Sequence, residues 1–131
     1  MGTTIVVALV AVFIIFFIIN KNKIGGTQMD PVAALELIAQ HKTPVLDVRT
    51  PEEYQGGHIK GAQLIPVSEL VDRIGELDSL KEKQFIVYCH AGNRSASACN
   101  ILQKNGFTKA VNLQGGIVAW GNAGNKIVTG K

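Results

Sequence analysis

The sequence contains few of the residues on which several classes of protein depend. It has only two cysteines, Cys89 and Cys99, which do not make a disulfide framework. They also lack partners at zinc-ligand spacing, so we do not expect a metal site. Aromatic residues make up 6% of the chain and no basic run is interleaved with them, which argues against nucleic acid as a partner. Internal repeats and low-complexity tracts are absent as well.

Charge is missing from the N-terminal segment. No charged residue stands between Thr3 and Ile19, and residues 5–19 form an unbroken apolar run. As a helix, residues 3–19 would be about 25 Å long, near the lower limit for crossing a bilayer. Lys21 and Lys23 follow immediately, and the positive-inside rule then places the rest of the chain in the cytoplasm. The sequence therefore predicts a single-pass membrane protein, with a transmembrane anchor at residues 1–19 and the membrane as a partner of residues 3–19.

Three other interpretations of this segment fit less well. A cleaved secretory signal would have Lys or Arg before the apolar core and an Ala-x-Ala site after it. An N-myristoylation motif would have Ser or Thr where Val6 stands. A buried core helix would need a partner that is apolar along its whole length, and nothing in the remaining pattern requires one.

The rest of the chain divides into a linker and one domain. Residues 20–28 are polar and contain glycine, as expected of a short linker, and residues 29–131 form the predicted domain. All 13 basic and 10 acidic side chains follow the apolar segment, so this part carries the net charge of +3. The excess is small, and Lys21 and Lys23 suit contact with an anionic membrane surface.

Helical and strand patterns alternate along the domain, which predicts an α/β fold. Helix starts are predicted at Asp30-Pro31, at a Thr50 capping box and at Ser68. Strands are predicted at residues 44–48, 62–65, 85–88 and 110–113, and further helices at residues 94–105 and 117–120. This alternation favours a parallel sheet covered on both faces. The side chains expected to face the core from the first and third helices are Val32, Leu35, Leu37, Ile38, Leu70, Val71, Ile74 and Leu77.

The most informative stretch is FIVYCHAGNRS, residues 85–95. An apolar strand ends at Cys89, and a short polar loop leads into a helix near Arg94. Such a loop lies at the carboxyl end of a strand, where open α/β sheets bind their ligands. If the loop curls back, its backbone N–H groups point at one spot and stabilise an anion there. A cysteine thiolate is such an anion and is the reactive form of the residue.

The alternative is that Cys89 is only a small core residue after a buried strand. The neighbouring residues favour a nucleophile instead, because none of the side chains from His90 to Asn93 is bulky enough to need burial. Gly92 supplies backbone freedom. Arg94 stands at a helix start, where the dipole disfavours it but where it is useful beside an anion.

Three segments of the chain together resemble the single rhodanese-homology domain of sulfurtransferases, from about Met29 to Val128. They are DVRTPEEYQGGHIKGAQLIP at residues 47–66, YCHAGNRSASA at residues 88–98 and NGFTKAVNLQGGIVAW at residues 105–120. The resemblance implies a three-layer fold with a mainly parallel central sheet. The preceding apolar helix is similar to that of membrane-tethered members.

The resemblance also implies an activity and a site. Cys89 would take a sulfane sulfur from thiosulfate or a persulfide, small or protein-bound, and pass it to a thiol or cyanide acceptor. The substrate-binding groups would be the backbone N–H groups around its anionic sulfur, those of His90, Ala91, Gly92, Asn93 and Arg94. Arg94 would face the donor or help to hold the loop. No metal or organic cofactor is implied.

The resemblance gives the other matching residues structural roles. Arg49 is expected to pair with Asp47 or Glu53, and His58 to stabilise a turn by a hydrogen bond. Trp120 is expected to pack over the sheet. His41 should be solvated and Cys99 should lie in the core.

One departure from the family pattern bears on the donor. The best-known members often have Arg or Lys directly after the cysteine, and this chain has His90. That makes a persulfide at least as plausible a donor as dianionic thiosulfate. Related phosphatases have five residues between Cys and Arg, whereas four separate Cys89 from Arg94, and the smaller ring suits a single sulfur atom. A docking or persulfide-sensing module remains the alternative function.

Overall fold

The computed structural model of the protein describes residues 2–23 and 27–131. The helices are α1 (Gly2–Lys23), α2 (Pro31–His41), α3 (Pro51–Gly56), α4 (Leu70–Arg73), α5 (Asn93–Lys104) and α6 (Gly116–Asn122). The strands are β1 (Thr27–Met29), β2 (Val45–Asp47), β3 (Gln63–Leu64), β4 (Phe85–Tyr88) and β5 (Ala110–Leu113). Two 3₁₀ segments, Val67–Glu69 and Ile74–Leu80, flank α4.

The five strands form one sheet in the order β1-β5-β4-β2-β3, and every neighbouring pair is parallel. The predicted α/β fold with a parallel sheet is therefore confirmed. Strand β4 is the middle strand of the sheet. Cys89 directly follows β4, so the loop that it begins lies at the centre of the carboxyl edge.

Strand β4 is apolar throughout because helices cover both of its faces. Phe85 and Val87 point into one core cluster, which includes Leu102 of α5. Ile86 and Tyr88 point into the other, which includes residues of α2 and α6. Successive side chains of a strand alternate between faces, so a strand covered on both sides is mostly apolar along its length. The result is a three-layer arrangement with the sheet in the middle.

The helix starts at Asp30 and Thr50 are as predicted. The Asp30 carboxylate accepts a hydrogen bond from the Ala33 N–H at 2.9 Å, with Pro31 at the first helical position. Thr50 and Glu53 form a complete capping box, and α3 ends at Gly56. These caps satisfy backbone donors that the first turn of a helix leaves free.

The helix predicted to start at Ser68 differs in the structure. The chain forms α4 over only four residues and then continues as a 3₁₀ segment, with no side-chain cap at its start. A 3₁₀ segment has three residues per turn, so the 3.6-residue pattern does not continue. Leu70 and Leu77 are buried as predicted, but Val71 is 64% exposed.

The inward face predicted for α2 was also partly wrong. Val32 and Leu35 are exposed, whereas the small Ala34 is fully buried. Leu37 and Ile38 are partly buried, as predicted. Val32 and Ala34 are about 200° apart around the helix, so Val32 faces solvent when Ala34 faces the core.

Strand β1 was not predicted. Thr27 and Gln28, expected to belong to the linker at residues 20–28, pair with Val111 and Asn112 of β5. Residues 20–23 continue α1, and residues 24–26 lie outside the described residues. Three residues are too few to show the alternation that indicates a strand. The strand forms by pairing with β5, which is distant in sequence.

The membrane-spanning anchor predicted at residues 1–19 is not supported. Within residues 2–23 and 27–131, no helix is long and apolar enough to cross a membrane. The large apolar side chains of α1 from Ile5 to Phe16 are between 50% and 68% exposed.

Candidate functional site

The loop after β4 turns sharply into α5 at a glycine. Gly92 is the N-cap residue, with a φ of 110° in the left-handed region. A residue with a Cβ atom is strained there, whereas glycine is not. Helix α5 therefore begins at Asn93 and directs its N-terminal N–H groups back towards Cys89.

The sulfur of Cys89 lies inside this turn, and the residue is only 1% exposed. The N–H of Gly92 donates to Sγ at 3.1 Å, and the hydroxyl oxygen of Ser95 is 3.3 Å from Sγ. Burial opposes ionisation, but hydrogen bonds from Ser95 and from the backbone N–H groups of Ser95, Gly92 and Arg94 outweigh it and lower the pKa of Cys89. The site therefore favours the thiolate.

The N–H groups that lower the pKa of Cys89 are those of Gly92, Arg94 and Ser95, and the Ser95 hydroxyl adds to them. Gly92 and Arg94 belong to the predicted set, whereas Ser95 does not. The side chains of His90, Ala91 and Asn93 are exposed. The sulfur is thus stabilised mainly by the first turn of α5, where the helix dipole also favours a negative charge.

A buried polar network behind the sulfur was missed by sequence reasoning. The Ser95 hydroxyl is 2.6 Å from Oδ1 of Asn112 on β5. The Asn112 amide donates to the Gly92 carbonyl at 3.2 Å and to Gln28 Oε1 on β1 at 3.4 Å. The sequence does contain one signal for this network, the amide of Asn112 within the predicted strand AVNL. A polar side chain in a buried strand needs hydrogen-bond partners.

Arg94 holds the loop rather than presenting a free charge. Its guanidinium group makes two parallel hydrogen bonds to the Glu53 carboxylate of α3, at 2.7 and 2.8 Å. These hydrogen bonds lower the pKa of Glu53 to about 2. The pair fixes α3 beside the Cys89 loop, which is one of the two roles expected of Arg94.

Arg49 forms the expected ion pair with Asp47, at 2.8 Å, and both side chains are buried. The guanidinium group also donates to the Gly57 carbonyl at 2.6 Å and lies 5.4 Å from the centre of the Tyr88 ring. Glu53, the other expected partner, pairs with Arg94 instead. The Asp47–Arg49 pair ties the end of β2 to the end of α3.

The two histidines expected to be structural have the predicted environments. His58 is buried, with Nδ1 2.8 Å from the Tyr54 carbonyl and its ring stacked on the Tyr54 ring at 3.7 Å. Its backbone also bridges to Val128. His41 is exposed at the end of α2. Among the residues that the structure describes, neither ring hydrogen-bonds to Cys89 Sγ.

Trp120 and Cys99 are core residues, as expected. Trp120 is buried and donates its ring N–H to the Lys126 carbonyl at 3.0 Å. Cys99 is fully buried, and burial together with the nearby charge of Cys89 raises its pKa to about 12. Such a thiol is unreactive at neutral pH.

The start of α6 packs against the backbone of the Cys89 loop. The N–H groups of Ile117 and Val118 donate to the carbonyls of Cys89 and His90, at 3.0 and 3.2 Å. A Cβ atom on Gly116 would overlap both of those carbonyl oxygens. The Gly115-Gly116 pair in the sequence therefore marks a close approach of two backbones, which the glycine pattern alone does not locate.

A cleft of about 600 Å³ opens beside His90. Its polar lining includes Arg49 and Glu53, and its apolar lining comes from Ile117, Val118 and Ile127. A cleft of this size accommodates the part of a substrate that surrounds the reacting atom. Among the residues that the structure describes, no group of three His, Cys, Asp or Glu side chains is placed to hold a metal ion.

The fold and the site define an α/β domain that holds an activated cysteine at the carboxyl edge of a parallel sheet. Residues 30–123 match the model of the rhodanese-like domain family. The chain belongs to the rhodanese-like domain family, and at the level of this family its role is sulfur transfer.

Individual relatives agree with this assignment. The chain is 38% identical over 125 residues to the uncharacterized protein YqhL of Bacillus subtilis, covering 92% of this chain and 94% of that one. A sulfurtransferase of Allochromatium vinosum is 37% identical, over 64% of this chain and 77% of that one. The crystal structure of a rhodanese-related protein from Thermoplasma volcanium superposes with a TM-score of 0.71 at 34% identity, covering 78% of this chain and 97% of that one.

Proposed function

We propose that this protein is a rhodanese-type sulfurtransferase that carries a sulfane sulfur as a persulfide on Cys89. The observation that carries the proposal is the environment of the sulfur, a nearly buried thiolate site with N–H and O–H donors within 3.3 Å. Sulfurtransferase relatives support the same activity. The donor is thiosulfate or a persulfide, and the acceptor is a thiol or cyanide.

The reaction consists of two displacements at sulfur. The Cys89 thiolate attacks the outer sulfur of the donor, so that a new S–S bond forms at Cys89 while the donor's S–S bond breaks. Sulfite leaves from thiosulfate, or a thiolate leaves from a persulfide. An acceptor thiolate or cyanide then attacks the outer sulfur of the Cys89 persulfide and regenerates the Cys89 thiolate. No external oxidant or reductant is needed in either step.

The chain's own groups stabilise charge in both steps. Gly92 N–H and the Ser95 hydroxyl contact the sulfur of Cys89, which is negative before the first attack and again after the second. Burial opposes ionisation of Cys89, but these same donors lower its pKa and so favour the nucleophilic thiolate. The persulfide itself is an anion, and the N-terminal turn of α5 favours it in the same way.

A phosphatase activity is less well supported. Phosphate binding in a Cys–loop–Arg site relies on an arginine free to make a bidentate contact with the dianion. In this structure both terminal nitrogens of Arg94 donate hydrogen bonds to the Glu53 carboxylate. The four-residue spacing between Cys89 and Arg94 points in the same direction.

The test is the intact mass of the full chain after incubation with thiosulfate or glutathione persulfide. We expect a gain of one sulfur that is removed by a reductant and by cyanide. Cys89→Ser abolishes the gain, whereas the matched variant Cys99→Ala retains it, because the Cys99 thiol is buried and its pKa is raised to about 12. No gain with either donor would contradict the proposal and favour a docking module. A sulfur that loads but is never passed to an acceptor would favour persulfide sensing.

Cellular location is a separate proposal. We propose that residues 1–19 attach the protein to a membrane and that the rhodanese-like domain works in the cytoplasm. The exposed apolar side chains of α1 and the two lysines that follow them support it. We expect the protein in the membrane fraction, with the domain open to protease only from the cytoplasmic side. Recovery in the supernatant, or cleavage from the opposite side, would contradict it.

A further inference from the structure

We infer that the physiological sulfur donor of this site is a persulfide whose carrier group is uncharged and apolar next to the sulfur, and that thiosulfate is a poor donor. This inference rests on the proposed sulfurtransferase function and specifies its substrate. It concerns the cleft that is lined by His90, the residue directly after Cys89.

The arginines near the cleft are both neutralised. Arg49 and Arg94 make their ion pairs with Asp47 and Glu53 at 2.8 and 2.7 Å. Breaking the buried Arg49 pair to bind a dianion would leave the Asp47 carboxylate without a partner, which is unfavourable. Glu53 also lines the cleft, and its pairing with Arg94 leaves this part of the cleft without a net positive charge for thiosulfate. A dianion therefore finds no unpaired arginine along this wall.

The other wall of the cleft is apolar and open. Val118 and Ile127 are 43% and 41% exposed, and Ile117 lies beside them. Covering exposed apolar surface in a concave site with an apolar group is favourable. Thiosulfate offers no such group, whereas an alkyl or aromatic persulfide does.

The position of Ile127 shows that this wall is built into the fold. A Cβ atom on Gly57 would lie 3.0 Å from Ile127 Cγ2, and one on Gly121 would lie 3.2 Å from Ile127 Cδ1. The next residue, Val128, exchanges backbone hydrogen bonds with His58 at 2.8 and 2.9 Å. Ile127 is thus seated against two glycines and held by a bridge, so the apolar wall is formed before a ligand arrives.

The volume of the cleft agrees with a larger donor. About 600 Å³ falls within the range of about 300–1,000 Å³ that suits ligands of drug size. Thiosulfate has only a few atoms and would leave most of this space to water. In the reaction, the Cys89 thiolate attacks the outer sulfur of R–S–SH; an S–S bond forms at Cys89, the S–S bond of the donor breaks, and R–S⁻ leaves while the proton stays on the transferred sulfur. The inference places the group R in the cleft that His90 lines.

The experiment compares two donors, benzyl persulfide and thiosulfate, on the full chain and on Val118→Lys. The second-order rate of Cys89 persulfide formation is measured for each by intact mass. Donors differ in intrinsic reactivity, so the measured quantity is the ratio of the two rates within each protein. Val118→Lys adds a positive charge and removes apolar surface, so we expect the benzyl persulfide to thiosulfate ratio to fall about tenfold.

Two further variants complete the design. Ile127→Lys places the same change on the neighbouring part of the wall and is expected to shift the ratio in the same direction. Val71→Lys is the matched control, because Val71 is an exposed valine on α4 that does not line the cleft. It is expected to leave the ratio unchanged.

The outcomes separate this inference from the function on which it rests. A benzyl persulfide to thiosulfate ratio that falls in both cleft variants and is unchanged in Val71→Lys supports the apolar donor. Cys89 loading with a ratio that neither cleft variant changes overturns the inference and leaves sulfur transfer intact. Failure of every donor to load Cys89 in the unmodified protein overturns the proposed function, and this inference with it.

Discussion

The hydroxyl oxygen of Ser95 lies 2.6 Å from Oδ1 of the buried Asn112. The same oxygen is 3.3 Å from Cys89 Sγ. The hydroxyl also lies 3.2 Å from the Gly92 carbonyl, and its single proton goes to one acceptor at a time. An ionised sulfur can only accept, so we expect the Ser95 hydroxyl to donate to Cys89 in the thiolate state.

Ser95→Ala tests this relationship through the ionisation of Cys89. Hydrogen bonding by Ser95 is the leading contribution that lowers the pKa of Cys89 against burial, so its loss raises that pKa. The thiolate fraction at neutral pH falls, and alkylation by iodoacetamide at pH 7 should slow roughly tenfold and recover as the pH rises. Ser97→Ala, an exposed serine of the same helix, is the control. An unchanged pH–rate profile in Ser95→Ala would show that the hydroxyl does not act on the sulfur.

Gly116→Ala is expected to abolish sulfur loading. The new Cβ would overlap the carbonyl oxygens of Cys89 and His90, and Gly116 has a φ of 61° that strains any other residue. The loop must move, and the donors around the sulfur move with it. Loading is measured by intact mass, and the fold by circular dichroism. Gly75→Ala is the matched control, because a Cβ there meets nothing within 4 Å. Normal loading in Gly116→Ala would mean that the loop adapts without loss.

Glu53→Gln should remove a pH-dependent part of the stability. The pKa of Glu53 is about 2 in the folded protein against an ordinary 4.5, so its stabilising effect is complete above about pH 4.5 and is lost as the pH falls towards 2. Both side chains of the Glu53–Arg94 pair are partly exposed, so the loss in unfolding free energy at pH 7 should be at most about 1 kcal/mol.

Urea denaturation at pH 7 and at pH 3 measures this effect. The difference between the wild type and Glu53→Gln should shrink at pH 3, where part of the wild-type pair is already lost. Glu52→Gln, an exposed glutamate in the same turn, should match the wild type at both values. A difference that is equal at both pH values would contradict the lowered pKa of Glu53.

Asp47→Asn should destabilise the fold strongly. It leaves the buried Arg49 guanidinium without its counterion, and breaking a buried ion pair in this way costs about 3–5 kcal/mol. Asp78→Asn, in the exposed and longer pair with Lys81, should change the unfolding free energy by less than about 1 kcal/mol. Equal effects of the two substitutions in urea denaturation would show that burial of the Asp47–Arg49 pair does not matter.

The elements that could be predicted are those with a local signal. Strand β5 has the predicted limits because polar residues stand on both sides of AVNL, and Thr50 caps α3 because its capping box lies within four residues. Strand β1 carries no such signal, since it exists only by pairing with β5. The short α4 differs because the chain changes to 3₁₀ winding after Arg73.

The site divides in the same way. Cys89 and Gly92 lie in one motif, and their arrangement follows from a strand, a loop and a helix in succession. Ser95 meets Asn112 only because β5 lies beside β4, and Arg94 meets Glu53 across a separation of 41 residues. Contacts of this kind depend on how elements pack, and no pattern in a single sequence specifies them.

The bridge between His58 and Val128 has a consequence for shortening the chain at its C-terminus. Val128 exchanges two backbone hydrogen bonds with His58, and Ile127 is seated against Gly57 and Gly121. Loss of the last few residues would therefore open the cleft beside His90, whereas Gly92 and Ser95, which contact the sulfur, lie in another part of the chain.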